Sequence, residues 1–346
     1  MEITLLVGIR NDEEKEKVIN LNTTINLHFF KTSAQYPISN LLMQKSLGNL
    51  LRKLHITDKT LFHVRGEYMG IIFYKAFKNA FGYDPNLFMD IRGASYEEIA
   101  GYLKQGILTK IKLHYLKSLF EKYVSKAKLV NVVSEELKHY AMTKYGFSDQ
   151  NIVINHCIAG DGFFWDETIR ENIRRKLKVA ASEILFVFSS STGGKWQNGD
   201  EIAMALARQG YKILMLTKKS YSHENIISMF VPYNEVPNYL MAADIGIIIR
   251  DKDIVNKVSS PIKFSEYLSC GLPVIANDSV TLISDVLKKY NCGAIVDDLE
   301  QLDQNIINRL LSMDKARIAN IGKQLFSIET IGDGYIKTYD RLASVK

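Results

Sequence analysis

The sequence predicts an α/β protein in two halves, each a parallel sheet with helices packed against it. Three observations carry that expectation. Short apolar runs alternate with longer helical stretches along the chain, the pattern of right-handed β-α-β units. In the second half these runs are continuously apolar, as in strands buried on both faces. The 346 residues also exceed what one core usually takes in, and Asn155 to Phe164, a stretch without clear period, separates two series of runs. The expected domains are 1–160 and 161–327.

Bulk composition excludes more than it identifies. Hydrophobic content of 47% and charge of 24% are ordinary for a globular protein, and a net charge of +6 is a mild basic excess. Cys157, Cys270 and Cys292 lie far apart with no C-x-x-C pair, which argues against a disulfide framework or a zinc site and fits a reducing cytoplasm. The first residues, Met1 to Leu6, carry no basic leader and read as a first buried strand. No apolar run approaches the length of a membrane span.

Taken in order, strands are expected at 3–9, 61–66, 86–93, 128–134 and 151–154. Ser134 is placed to cap a helix that has Glu135 and Glu136 in its first turn. After the unpatterned stretch comes a basic helix, Arg170 to Lys178. The second series then begins with strands at 184–188, 212–217, 227–231, 244–249, 273–276 and 293–296. A last helix runs from about Phe326 to Leu342.

Ligands of open parallel sheets lie outside the carboxyl ends of the strands, so the residues just after each strand are the candidates. After the first strand of the second half comes Ser189 to Gln197, with Gly193, Gly194 and Lys195: a loop whose backbone can approach a ligand and whose lysine adds charge, or else simply a polar loop. Lys218 follows the next strand, where a solvated lysine is an equal reading; Arg250 follows the fourth, where an arginine would suit a phosphate. Asp251-Lys252-Asp253 spells a D-x-D triplet but has no third ligand in view, so no metal is expected. In the first half, Asp90-Ile91-Arg92-Gly93 ends a strand. Asp90 and Arg92 would either project into a cleft or pair with each other to support a turn. His63 and Arg65 end another strand.

The organising stretch is Ser259 to Ala276. Small residues lead into a short helix bearing Lys263, Glu266 and Tyr267, with Pro261 fitting its first turn; Gly271 suits a positive-φ cap, and Pro273 opens the next strand. Free amides near Ser259 and Ser260, with the helix dipole, favour an anion; Glu266 one turn on could accept from sugar hydroxyls. An ordinary helix–turn–strand unit with a solvated Glu266 is the plainer reading.

This stretch resembles the nucleotide-sugar signature of family-four retaining glycosyltransferases, in the branch written S-P-x-K-x-x-E-Y-L-x-x-G-x-P-V-I-A. Val236 to Ile247 is similar to that family's V-P-x-Y-L-x-x-A-D-I-G step, in which Asp244 is more structural than catalytic. The Gly-Gly-Lys-Trp-Gln loop and the D-x-R-G strand end have counterparts there as well. The resemblance covers the second half well and the first half weakly. It implies a GT-B fold, two Rossmann-like domains facing across a cleft, with the terminal helix 328–346 returning to the first domain. It implies transfer, with retention, of a sugar from a nucleotide-diphosphate donor to a glycan or lipid-linked acceptor in surface polysaccharide synthesis, without a cofactor. Lys195, Arg250, Asp90 and Arg92 would be catalytic. Gly193, Gly194, Lys218, Ser259, Ser260, Lys263 and Glu266 would hold the donor. Many relatives carry a second glutamate eight residues before Glu266; here Val258 stands there, so that residue's role does not carry over. A sugar-nucleotide epimerase shares the architecture and is the alternative enzyme, and a nucleotide-binding module without chemistry is the third reading. No G-x-G-x-x-G follows a strand, which disfavours a nicotinamide dehydrogenase.

Residues 104–128 hold seven lysines against one acid, Glu121, interleaved with apolar residues. Such a helix could rest on an anionic membrane from the cytoplasmic side, or simply present a solvated face. No nucleic-acid motif accompanies the charge.

Overall fold

The computed structural model describes residues 3–19, 25–32, 38–103, 106–190, 198–297, 299–300 and 302–344. The chain falls into two compact units: Met1–Asn131, Ala141–Val153 and Tyr339–Lys346 form one, Val132–Tyr140 and Ile154–Thr338 the other.

In the first unit, β1 (Thr4–Ile9) and β2 (Asn26–Lys31) pair in parallel as a small sheet. A four-stranded sheet follows in the order β3 (Phe62–Arg65), β4 (Leu87–Asp90), β5 (Leu129–Val132) and β6 (Ile152–Ile154), its end reaching past Asn131. Two expectations are corrected here. The first strand exists, but Leu5 is exposed and only Ile9 is buried, so it is an edge rather than a core strand. The strand Asn26–Lys31 was not foreseen: its polar and aromatic residues give no clean period, and Phe30 alone is buried. The helix Glu67–Phe81 packs Ile71, Ile72, Phe73 and Phe77 into the core, and the fully buried β4 lies beneath it. Ser134 caps the helix Glu135–Tyr145, accepting from the Leu137 amide at 3.0 Å.

The second unit holds a six-stranded sheet. Its strands are β7 (Leu185–Ser189), β8 (Lys212–Leu216), β9 (Ile226–Met229), β10 (Ile245–Ile248), β11 (Val274–Ala276) and β12 (Gly293–Ile295). Their spatial order is β12-β11-β10-β7-β8-β9, and every pairing is parallel. Counted within the unit this is the doubly wound order 3-2-1-4-5-6, with its switch point between β7 and β10. The continuous apolar runs follow from two cores. Leu185, Val187, Leu214, Ile248 and Val274 face one; Phe186, Phe188, Ile213, Ile247 and Ile275 face the other. The helix Ile262–Ser269 ends as foreseen at Gly271, which has φ of 74°. A Cβ there would stand 2.8 Å from the Lys315 carbonyl, a second reason for glycine. Pro261 is not in the first helical turn; with ψ of 120° it is the cap just before it.

The helix Glu167–Leu177 is basic but not a solvated face. Arg174 is buried, and with Arg170 it converges on Asp244: Arg170 Nη2 donates to Oδ1 at 2.5 Å and Arg174 Nη1 to Oδ2 at 3.1 Å. The Leu185 amide also donates to Oδ2, at 2.8 Å. Asp244 thus ties this helix to the starts of β7 and β10.

Candidate functional site

The switch point is where the second unit places its candidates. A small cavity of about 20 Å³ opens at the carboxyl ends of β7 and β10, lined by Phe188, Ser189, Ile248, Arg250, Lys263 and Tyr267 among others. Arg250 and Lys263 therefore line one cavity. A larger cavity in this unit, about 360 Å³, lies at the far end of the helix Ile262–Ser269, against Ser269, Trp165 and Asn320. None of the residues nominated from the sequence lines it, although Phe163 on its wall packs against Tyr233, the ring centroids 5.7 Å apart.

Tyr267 anchors the site. Its ring is buried against Gly246, where a Cβ would come within 2.5 Å of Cδ2, and its hydroxyl accepts from the Ser189 amide at 2.9 Å. Burial and the neighbouring Glu266 keep that hydroxyl neutral far above the usual phenol range. The end of β7, and hence the start of the loop after it, is held from the motif helix. Gly193, Gly194 and Lys195 in that loop lie outside the described residues.

Glu266 is not a solvated carboxylate: it is 0% exposed. Oε2 accepts from Lys263 Nζ at 2.7 Å and Oε1 from the Tyr233 hydroxyl at 3.4 Å. Burial pushes its carboxyl up, opposed by Lys263 and Tyr233. Any hydroxyl that Glu266 holds must compete with these two partners. Tyr233, which had no signal in the sequence, is therefore part of the site.

Arg250 is fixed from both sides. Its Nη1 donates to Asn256 Oδ1 at 3.3 Å, and its carbonyl accepts from Asn277 Nδ2 and Ser279 Oγ, both at 2.7 Å. Burial lowers its guanidinium from the ordinary value, opposed by Tyr267 and Asp253. Asn256 is oriented in turn by Asp253, whose Oδ1 accepts the Asn256 amide at 2.7 Å. The D-x-D triplet is thus in structural use: Asp253 caps the turn Ile254–Lys257, and Asp251 accepts from Asn198 at 3.0 Å. Among the described residues no three His, Cys, Asp or Glu side chains group as metal ligands.

The expected free amides before the motif helix need correction. The Ser259 amide donates to the Asn256 carbonyl at 3.1 Å, and its hydroxyl to the same oxygen at 2.8 Å. Ser260 is buried, its hydroxyl accepting from the Cys157 amide at 3.2 Å. Both serines shape the approach to the helix; Ser259's amide is not available to an anion. Val258 is buried, and its carbonyl accepts from Ser134 Oγ at 2.6 Å. Lys218 is exposed after β8, its ammonium 5.1 Å from the centre of the exposed Phe230 ring. Lys219 pairs instead with Asp200 at 2.5 Å.

The first unit carries the other two candidates. Asp90 is buried at the end of β4 and accepts from Asn131 Nδ2 at 2.7 Å; Arg92 Nη1 lies 3.5 Å from its other oxygen. The register places Arg65, Asp90 and Asn131 side by side, and His63 two residues before Arg65 on the same face. His63 Nδ1 lies 2.8 Å from the Tyr339 hydroxyl of the last helix, Ile328–Ser344. Burial lowers the His63 imidazole while Asp90 works to raise it. The pairing of Asp90 with Arg92 realises the supporting arrangement, and the group as a whole sits at the strand ends of its sheet.

Comparisons with known proteins bear on the fold. Residues 208–335 match the family model for the glucosyltransferase 3-like, C-terminal domain. No curated protein matches the chain in sequence. Among solved structures, a glycosyltransferase from Rickettsia africae superposes with a TM-score of 0.72 at 14% identity, covering 99% of this chain and 91% of that one. Anabaena HepE in complex with UDP-glucose gives 0.70 at 14% identity, over 97% and 91% of the two chains. Sucrose-phosphate synthase from Thermosynechococcus elongatus gives 0.68 at 13%, over 100% and 96%. The fold is the GT-B fold, and with the family match over the second unit it supports a glycosyltransferase.

Proposed function

We propose that the protein is a retaining glycosyltransferase that moves a sugar from a nucleotide-diphosphate donor to a glycan or lipid-linked acceptor, in surface polysaccharide synthesis. The observation that carries this reading is the meeting of Arg250 and Lys263 in one cavity at the switch point, beside the buried Glu266. Charge that accumulates on a departing diphosphate needs fixed cations in a site poor in water. Arg250, braced by Asn256, supplies one and Lys263 another; Lys195 and the glycines of its loop add to them. Lys218 reaches the outer part of the donor. Glu266 takes the ribose hydroxyls, releasing Tyr233 as it does so. Asp90 and Arg92 serve the acceptor side. Because Asp253 and Asp251 are occupied in holding the chain, the proposed step runs on protein cations and no divalent ion enters it.

A neighbour's complex with UDP-glucose makes that molecule the first probe. Thermal shift with UDP-, GDP- and ADP-linked sugars, with and without EDTA, should show one class of donor stabilising the protein irrespective of chelator. Glu266→Gln removes a charge-assisted contact and should weaken that donor by about 10- to 100-fold; unchanged affinity would take Glu266 out of the site. A sugar nucleotide whose sugar changes identity with no acceptor present would instead identify an epimerase.

We also propose contact with an anionic, cytoplasm-facing membrane through residues 104–128. The helix Ile107–Tyr123 buries Leu116, Leu119 and Phe120, while its first turns leave Ile107, Leu108 and Ile111 exposed at 81%, 74% and 62% beside the exposed Lys110 and Lys112. An apolar edge flanked by lysines fits a headgroup layer. Among the described residues no helix is long and apolar enough to cross a membrane.

A further inference from the structure

The first unit contains a buried carboxyl that the proposed chemistry does not use. Glu67 opens the helix that follows β3 and is 0% exposed. Its Oε2 accepts from Ser95 Oγ at 2.5 Å, while its Oε1 is buried with no hydrogen-bond partner among the described residues. Ser95 opens the helix Ser95–Tyr102, so between β4 and this contact runs only the loop Ile91-Arg92-Gly93-Ala94. The preceding residue, Gly66, reaches the same strand end, its amide donating to the Asp90 carbonyl at 2.8 Å. The strand end bearing Asp90 and the loop bearing Arg92 are therefore clamped between Gly66 on one side and Glu67 on the other.

A carboxyl so placed is poorly matched in its ionised form. Acceptance from Ser95's hydroxyl favours the charge, as do the nearby main-chain amides and the positive end of its helix. Burial disfavours it more, and the orphan oxygen is a desolvated acceptor. Burial is the main reason the group is pushed up to about 7. The ionised neighbour that adds to this is Glu97, one turn into the next helix and itself paired with Lys144; Asp90 and Arg92, on the strand side, are paired with each other.

We propose that Glu67 is a positioning residue for the Asp90–Arg92 strand end, acting through Ser95, and that its loss of a proton loosens that loop. The neutral carboxyl still accepts from Ser95 and leaves no charged oxygen stranded. The anion draws water towards Oε1 and opens the loop. This builds on the acceptor-side role given above to Asp90 and Arg92, but the titration can be read without any activity.

The test compares wild type with Glu67→Gln, Glu67→Ala and Ser95→Ala between pH 5.5 and 9, by hydrogen–deuterium exchange of residues 91–98 and by thermal midpoint. Ratios between variants at each pH cancel the intrinsic pH dependence of exchange. Relative to Glu67→Gln, wild-type exchange should rise about tenfold as pH passes 7, the equivalent of one hydrogen bond lost. The folded value lies above that of a free carboxyl, so the favourable contribution is full at low pH and fades as pH climbs to about 7. The midpoint of wild type relative to Glu67→Gln should therefore fall over that window and level off above it. Ser95→Ala should exchange faster at every pH. Where UDP-glucose turnover is measurable, wild type should show an inflection near pH 7 that Glu67→Gln lacks, with donor KM unchanged. Wild-type and Glu67→Gln exchange running parallel across pH, or a constant difference in midpoint, would overturn the proposal. Absence of turnover in wild type, with the exchange result as expected, would count against the transferase reading alone.

Discussion

Removing the Asp244 carboxylate is the perturbation whose magnitude follows most directly from the structure. Its two oxygens receive Arg170, Arg174 and the Leu185 amide, and it is buried. Asp244→Ala leaves one buried guanidinium, a second mostly covered one and a main-chain amide without their acceptor. Arg174 keeps carbonyl contacts to Ala180 and Glu183, both at 2.6 Å, and Arg170 one to Ala243 at 2.6 Å, so both cations are held where the anion was. Breaking a buried pair from one side costs about 3–5 kcal/mol. For a unit of this size that corresponds to a fall of roughly 6–20 °C in the thermal midpoint. Urea melts followed by circular dichroism, with calorimetry, would measure it. Asp244→Asn keeps an oxygen for Leu185 and should lose less, and a double-mutant cycle with Arg170 should show strong coupling. At temperatures where Asp244→Ala is folded, its affinity for UDP-glucose should match wild type, because Asp244 supports β10 without reaching the cavity. A loss below about 1 kcal/mol would refute the idea that this carboxylate neutralises the basic helix. Lost donor affinity in fully folded protein would instead place Asp244 in the site.

Two further outcomes are expected. Gly246→Ala drives a methyl into the Tyr267 ring, which is closely packed; it should destabilise by about 1–3 kcal/mol and weaken donor binding through the displaced hydroxyl, read by calorimetry and titration. Replacing Ile107, Leu108 and Ile111 together by serine should abolish co-sedimentation with phosphatidylglycerol vesicles while leaving the thermal midpoint within about 1 °C, since these side chains are exposed. Unaltered sedimentation would leave the helix as a solvated face.

The strands of the second unit were legible because both faces are buried: Leu185 to Phe188 and Ile245 to Ile248 can be nothing but apolar when two cores enclose them. Gly271 was legible because backbone geometry demands it. The strand Asn26–Lys31 was hidden because a lightly covered edge imposes no pattern. Site chemistry was less visible, since it depends on contacts distant in sequence. Glu67 reads as an ordinary acid in a first helical turn, and nothing local says that Ser95, 28 residues on, will bury it. Arg174 reads only as one cation of a basic helix until Asp244, 70 residues away, is placed beside it. Arg250 and Lys263 could be nominated from their places after a strand and inside a motif. Their meeting in one cavity needed the sheet order.

The hydrogen bond from the Ser189 amide to the Tyr267 hydroxyl bears on how such proteins can be recombined. A designer who transplants Ser189 and the loop that follows it from a relative, hoping to import a different donor preference, moves only half of a joint. The other half is a phenol 78 residues downstream, seated on the one residue of β10 that has no side chain. A chimera that carries the loop but alters Tyr267 or Gly246 should fold with the graft unanchored at its first residue. Loop, tyrosine and glycine are best treated as a single cassette.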